Sequence, residues 1–406
     1  MMPTNQRRVV VTGTGVVSPI GHGTEEFWQS LSKGSTNFVP SGVEGIPLVS
    51  RVPDGWDEGI SPKRRRASDR CTLLALTAAG EALGRSGLLE DPDNALHTGV
   101  YFGSSIGGIG TIKQEFARGA TEGTRSVHAL LVVKGLMNMI ASAIGIEYGL
   151  RGESLVTAAA CASGTVAIGE AYRAVASGRL PRAVAGGAEA CVLDHVMEPF
   201  RKLGALNSSS DPEGASIPFS RHRSGFVMAE GAGAVVLEEL ESARERGAPI
   251  LGEIVGYAAS SDAAGLITPD AAGVRRAVEG VFSDDHRPED VVYINAHGTS
   301  TTLNERVESE VYSAVFPHRP AVSSTKSYYG HPLGAAGAFE VIVCLESARA
   351  GVALPTLNVS EADIDREEID LNLVLDEPAP LAGGLLLSSS FAFGGQNGVL
   401  LMRGGI

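Results

Sequence analysis

The sequence predicts an α/β protein, and three observations predict it. Apolar, β-branched runs alternate with stretches of helical spacing along the whole chain. No low-complexity segment or long linker interrupts them. Glycine is abundant, 51 of 406 residues, as many tight turns and close backbone approaches require. In order, Arg8 to Gly15 reads as a strand entering a glycine turn, Glu25–Lys33 as a helix and Arg70 to Leu88 as a strong helix. Gly99 to Gly103 is a strand, and Gly152 to Ala160 a short buried strand. Ala162 to Ser177 follows as a helix with Val166, Ile168, Ala171 and Val175 at helical spacing. Ala183 to Ala190, Gly233 to Leu240 and Ile250 to Ala259 are further strands. Next come a helix near Gly273–Phe282, the strand Val291–Ala296 and helices near Glu305–Val315 and Gly334–Ala350. The strands Gly384–Ser390 and Gly398–Arg403 close the chain. This alternation implies largely parallel inner strands. A fresh strand near Ile250, after a complete α/β unit, implies an internal duplication with halves at 1–249 and 250–406.

Composition sets the function classes. The chain is 43% hydrophobic and 20% charged, ordinary for a globular protein with ample core material. Its net charge of −14 argues against nucleic-acid binding. No apolar run is long enough to span a bilayer, and Met1 to Arg8 lacks the apolar stretch of a signal peptide. The four cysteines, Cys71, Cys161, Cys191 and Cys344, show neither metal-ligand spacing nor disulfide density, so a reduced, cytoplasmic protein without a metal centre is expected.

Four segments carry chemistry. In Thr157-Ala-Ala-Ala-Cys161-Ala-Ser-Gly-Thr165, a thiol sits where a strand gives way to a helix, facing unpaired amides and a positive dipole end that favour thiolate. An inert buried cysteine is the bland alternative. Asn295-Ala-His297-Gly-Thr299-Ser-Thr301 puts a histidine at a strand's C-terminal end, where α/β sites place catalytic groups. Thr299 and Thr301 offer hydrogen bonds to an amide-containing ligand, or simply cap the next helix. Ser323-Ser-Thr-Lys326-Ser-Tyr-Tyr-Gly-His331 adds a lysine and a second histidine before a glycine–alanine helix. Glu340, inside that helix among apolar residues, needs a cationic or hydrogen-bonding partner. Phe391-Ala-Phe393-Gly-Gly-Gln-Asn397 joins the last two strands, and its glycines expose amides suited to an oxyanion. By contrast, Val11-Thr-Gly13-Thr-Gly15-Val-Val-Ser18 lacks the third glycine of a dinucleotide fingerprint and reads as a structural strand–turn.

Together, and in this order, these segments resemble the elongating β-ketoacyl-acyl carrier protein synthases of the thiolase superfamily, as does Arg221…Gly225-Phe-Val-Met-Ala-Glu-Gly-Ala-Gly233. The resemblance runs end to end. It implies a thiolase-like fold of duplicated βαβαβαββ halves in five αβαβα layers, and a dimer. It implies that Cys161 takes the acyl group from a carrier protein and that His297 and His331 stabilise the enolate left when malonyl-carrier protein loses carbon dioxide. The amides of Cys161 and Phe393 would hold the oxyanion, each such donor worth about 3 kcal/mol. Lys326 with Glu340 would organise the site electrostatically, Thr299 and Thr301 would bind the phosphopantetheine amides, and Ile106 with Phe393 and Phe391 would gate the acyl pocket. No covalently bound cofactor is implied, since phosphopantetheine arrives on the acyl carrier protein. Carrier proteins are acidic, so Lys63, Arg64, Arg65 and Arg66, with Arg201 and Lys202 second, are the expected landing patch.

Several positions depart from the fatty-acid elongating pattern: Thr302 for proline, Asn304-Glu305 for Gly-Asp, Ala392 for glycine, Gln396, Tyr328-Tyr329, and a histidine missing from Ser261–Leu266. With the catalytic residues intact, they point to the ketosynthase of a type II polyketide or polyene system, as homodimer or paired with a chain-length factor; a fatty-acid elongating paralogue that carries the same changes is the alternative. A degradative thiolase would need a second cysteine near the C-terminus. A non-catalytic chain-length factor would lack Cys161, an initiating synthase would carry one His and one Asn, and a Cys-His hydrolase would leave Lys326 and one histidine unexplained.

Overall fold

The computed structural model describes residues 7–405. Its first half runs β1 (Val9–Ser18), α1 (Arg70–Ser86), β2 (Thr98–Gly103), α2 (Met139–Tyr148), β3 (Ser154–Thr157), α3 (Ser163–Ala176), β4 (Arg182–Glu189), β5 (Gly231–Glu239). The second repeats the sequence of elements: β6 (Gly252–Ser261), α4 (Ala271–Gly280), β7 (Val291–Asn295), α5 (Thr302–Val315), β8 (Ala321–Ser323), α6 (Ala336–Ala350), β9 (Leu385–Ala392), β10 (Gln396–Gly404). Strand order is β1-β5-β4-β2-β3 in one half and β6-β10-β9-β7-β8 in the other, with the same pairing directions. The halves meet where β1 pairs antiparallel with β6 through Val9–Val11, and Arg8 grips Glu253 beside the junction with two contacts of 2.7 Å. The inner strands are therefore mixed rather than largely parallel, because each half ends in a β4–β5 or β9–β10 pair that returns antiparallel.

Side-chain alternation along the strands sorts the core into layers. Val236 of β5 packs outward with Leu74, Leu83 and Ile144 of α1 and α2. Its neighbour Val235 packs inward with Ile168 and Val175 of α3 and Phe339 and Val343 of α6. Leu400 of β10 belongs to that same central layer, whereas Leu401 faces Val274, Val278 and Val311 of α4 and α5. Helices, sheet, helices, sheet, helices: five layers result, with α3 and α6 in the middle.

Close approach explains the small residues. A Cβ at Gly15 would lie 2.1 Å from the Ala78 carbonyl oxygen of α1, so the glycine-rich β1 is shaped by helix packing. A Cβ at Gly337 of α6 would lie 1.9 Å from Thr165 Oγ1 of α3. The predicted strand at Gly152 to Ala160 shortens to β3, and it is not buried: Leu155 is 48% exposed, because β3 is an edge strand paired only with β2. The helices Ile109–Glu122, Met139–Tyr148 and Asp194–Lys202 were not expected from the sequence.

Replacing Gly337 by Ala should cost about 1–3 kcal/mol through overpacking of the central helices. It should lower the thermal midpoint measured by calorimetry, while Gly383→Ala, in open space, leaves it unchanged. Equal midpoints would refute the close-packing account.

Candidate active site

The chemistry-bearing side chains converge at the C-terminal ends of β3, β7, β8 and β9. Cys161 sits between β3 and α3. The preceding Ala160 has φ 44°, a left-handed backbone that costs a non-glycine residue roughly 1–3 kcal/mol. It is held there because its carbonyl accepts from Ser163 Oγ at 2.7 Å and Ser105 Oγ at 2.8 Å. His297 follows β7, Lys326 and His331 follow β8, and Phe391 lies near the end of β9 with Phe393 just beyond it.

Cys161 Sγ and one nitrogen from each of His297 and His331 lie within 4.8 Å of one another. The two imidazoles cross at 83° with centroids 5.4 Å apart, and Phe226 sets the His331 ring edge-on at 5.1 Å. All three residues, with Thr299, Thr301, Phe391 and Phe393, line one cavity of about 240 Å³. The Thr299 and Thr301 hydroxyls hydrogen-bond each other at 2.8 Å. Ile106 does not line it but packs into the same apolar cluster as Cys161, Phe226 and Phe393. Phe200, absent from the sequence reading, stacks on Phe393 at 6.2 Å and completes that wall.

Lys326 and Glu340 stand behind the histidines, both buried. The Lys326 ammonium donates to the His297 carbonyl at 2.5 Å and to a Glu340 carboxylate oxygen. Burial first, then the Lys326 charge, holds His331 well below the ordinary imidazole range; His297 is lowered by burial, Lys326 and His331. Both rings are neutral at physiological pH. Burial pushes the Cys161 thiol up to about 12, with Lys326 pulling the other way. The expected resting thiolate is therefore corrected to a resting thiol, since desolvation of the charge outweighs its favourable neighbours.

Three buried glutamates that the sequence did not single out as site residues fix the loops. Glu308 accepts from the His297 and Gly298 amides at 2.7 Å each, from Asn304 at 2.6 Å and from the Tyr312 hydroxyl at 3.0 Å. Glu305 accepts from the Phe219 and Ser300 amides and pairs with Arg223 at 2.9 Å. Glu189 receives the Ser105 amide at 2.7 Å and the Gly334 amide at 3.1 Å, joining the Ile106 turn to the segment after His331. A carboxylate in the apolar strand Ala183 to Ala190 was the available signal for Glu189.

In the loop after β9, the Gly394 amide donates to Leu266 and the Gly395 amide to Ala392, so these glycines expose fewer free amides than expected. The Phe393 amide has no backbone partner among the described residues. Of the departures, Thr302, Asn304 and Ala392 line the cavity. Tyr328 and Tyr329 do not; they fill the central core, Tyr329 against Phe339 at 5.2 Å, and so bear on packing.

The basic candidates lie apart. Arg201 and Lys202 end a helix adjoining Leu203 and Gly204 of the cavity rim, but both already contact Glu198, at 2.7 and 3.6 Å. Arg64 pairs with Glu147 and Arg65 with Asp57 at 3.3 Å. Lys63 and Arg66 are exposed, without an ion pair among the described residues.

Comparison with known proteins follows the same outline. The beta-ketoacyl synthase N-terminal domain matches residues 6–243, and its C-terminal domain matches residues 251–360. The 3-oxoacyl-[acyl-carrier-protein] synthase 2 of Coxiella burnetii is 36% identical over 98% of both chains. Among solved structures, the ishigamide ketosynthase/chain length factor matches at TM-score 0.91 and 29% identity, covering 99% of this chain and 100% of that one. A type II polyketide ketosynthase solved with its acyl-carrier protein matches at TM-score 0.89 and 28% identity, covering 99% and 100%. With both domains matched in order over most of its length, this chain belongs to the beta-ketoacyl synthase family.

Proposed function

We propose that this chain catalyses decarboxylative Claisen condensation between an acyl group on Cys161 and malonyl-acyl carrier protein, extending a fatty-acid or type II polyketide chain. The observation that carries this reading is one thiol and two neutral imidazoles facing one cleft. Cys161 attacks the incoming acyl thioester, and a neutral imidazole takes its proton and returns it to the departing carrier thiol. The oxyanion sits on the amides of Cys161 and Phe393. Malonyl-carrier protein then loses carbon dioxide, and its bond electrons pass into an enolate whose oxygen accepts hydrogen bonds from His297 and His331. The enolate carbon attacks the Cys161 thioester, the C–S bond breaks to release β-ketoacyl-carrier protein and the Cys161 thiolate, and the thiolate takes up one proton from solvent to restore the resting thiol. Neutral rings suit this task, because each has one N–H to donate and one lone pair able to take the Cys161 proton. Lys326, engaged by Glu340, maintains that neutrality as a positioning residue.

In this reading residues 1–249 bring the nucleophile and 250–406 the histidines. Thr299 and Thr301, on the cavity wall, receive the phosphopantetheine arm, and Ile106, Phe391 and Phe393 gate the acyl chain. No metal or covalently bound cofactor enters the cycle. The carrier protein docks at Lys63, Arg64, Arg65 and Arg66, with Arg201 and Lys202, next to the cavity-lining Leu203 and Gly204, as the second contact. The acyl-carrier protein in the matched ketosynthase complex supports this partner. Exposed apolar residues, Leu155 on the edge strand β3 and Val132 and Leu136 at 63% and 51%, support a dimer, with a second copy or a chain-length factor. No helix among the described residues is long and apolar enough to cross a membrane.

Mass spectrometry with acyl- and malonyl-carrier protein tests the roles. Cys161→Ala should lose the acyl adduct and all condensation; an adduct elsewhere would sink the assignment. His297→Ala and His331→Ala should keep the adduct while malonyl decarboxylation falls by roughly 10²–10³; normal product from either refutes the enolate role. Alkylation of Cys161 by iodoacetamide should climb about tenfold per pH unit from 7 to 10 without levelling, as expected of a thiol held near 12. A plateau by pH 8 would show a thiolate at rest.

A further inference from the structure

Sequence spacing gave no metal site, yet the fold brings three metal-binding donors to one point. Cys161 Sγ and one nitrogen from each catalytic histidine share a sphere of mutual distances under 4.8 Å. All three residues are more than nine-tenths buried. Among the described residues, His297 Nδ1 and both ring nitrogens of His331 lack a hydrogen-bond partner. Zinc in tetrahedral geometry spreads its donors roughly 3.5 Å apart, so modest side-chain rotations bring these atoms onto one ion. The Lys326 charge behind them is compensated by Glu340. The cavity supplies an entry path and space for a fourth ligand, water or a carboxylate.

We infer that Cys161, His297 and His331 form a reversible inhibitory site for a soft or borderline divalent cation such as Zn²⁺ or Cd²⁺. Binding breaks the Cys161 S–H bond, forms a sulfur–metal bond and releases one proton to solvent. The imidazoles coordinate through the lone pairs that they hold as neutral rings, and nothing is oxidised or reduced. A bound ion removes the nucleophile and both hydrogen-bond donors together. Thiolate and imidazole select such ions over Mg²⁺. The outer ring nitrogens lack the carboxylate or carbonyl acceptors that stiffen resident metal centres, so the ion is held loosely enough for a chelator to strip it. The inference rests on donor geometry and does not require the condensation reading.

The test is titration of the full chain with CdCl₂, following the thiolate-to-cadmium ultraviolet band and iodoacetamide alkylation of Cys161. One equivalent should develop the band and slow alkylation at least about tenfold, EDTA should reverse both, and MgCl₂ should do neither. Cys161→Ala should abolish the band. His331→Gln and His297→Asn should each weaken binding by about 10–100-fold, and having both guards against one failing to fold. A band that persists in Cys161→Ala, unslowed alkylation at saturation, or unchanged affinity in both histidine variants would overturn the inference. None of these readouts uses turnover, so they remain separate from the fate of the proposed reaction.

Discussion

A single buried ammonium organises this molecule's chemistry. Lys326 has no water to solvate it, and its charge is met by Glu340 and the His297 carbonyl. Losing either charged partner would strand the other in low dielectric, at roughly 3–5 kcal/mol. The pair therefore locks α6 to the loops after β7 and β8. The same charge, added to burial, keeps both imidazoles unprotonated. Fold and electrostatics here are one constraint seen twice.

Around that pair, the protein uses carboxylates where loops would otherwise be free. Glu308 and Glu305, one turn apart on α5, grip successive amides of His297, Gly298 and Ser300. Burial pushes them up to about 7 and about 8, with the amide donors pulling the other way. Ser300, at φ 69°, and Leu333, at φ 40°, are held in left-handed backbone within this clamped region. Backbone held this firmly places reactive atoms without help from a ligand.

Much of this was legible in the sequence. Most element types and their order followed from periodicity, because each strand or helix has its own apolar face to bury; α2 and the three-residue β8 did not. The thiol and His297 stood out because each follows a predicted strand, and Lys326 and His331 because they precede a glycine–alanine helix. What stayed hidden was set by tertiary neighbours. The antiparallel return of β5 and β10 depends on which strand lies alongside, and β3 reads as buried although it lies at an edge. Glu305 and Glu308 look like ordinary exposed helix-starting acids until the catalytic loop folds over them. Likewise Tyr328 and Tyr329 resemble cleft residues in sequence, and only packing reveals that they face the core.

The strand order also has a consequence for synthesis. β1 lies in the middle of the sheet, and its partners β5 and β6 begin only at Gly231 and Gly252. Only Val17 and Ser18 pair early, with Gly21–His22; at roughly 5–20 residues per second of translation, the rest of the apolar strand Val9–Ser18 waits about 10–45 s for its long partners. During that interval most of its length has no sheet partner to cover its backbone. Such long-range pairing makes folding slow, and it ties completion of the sheet around β1 to the arrival of the chain beyond residue 230.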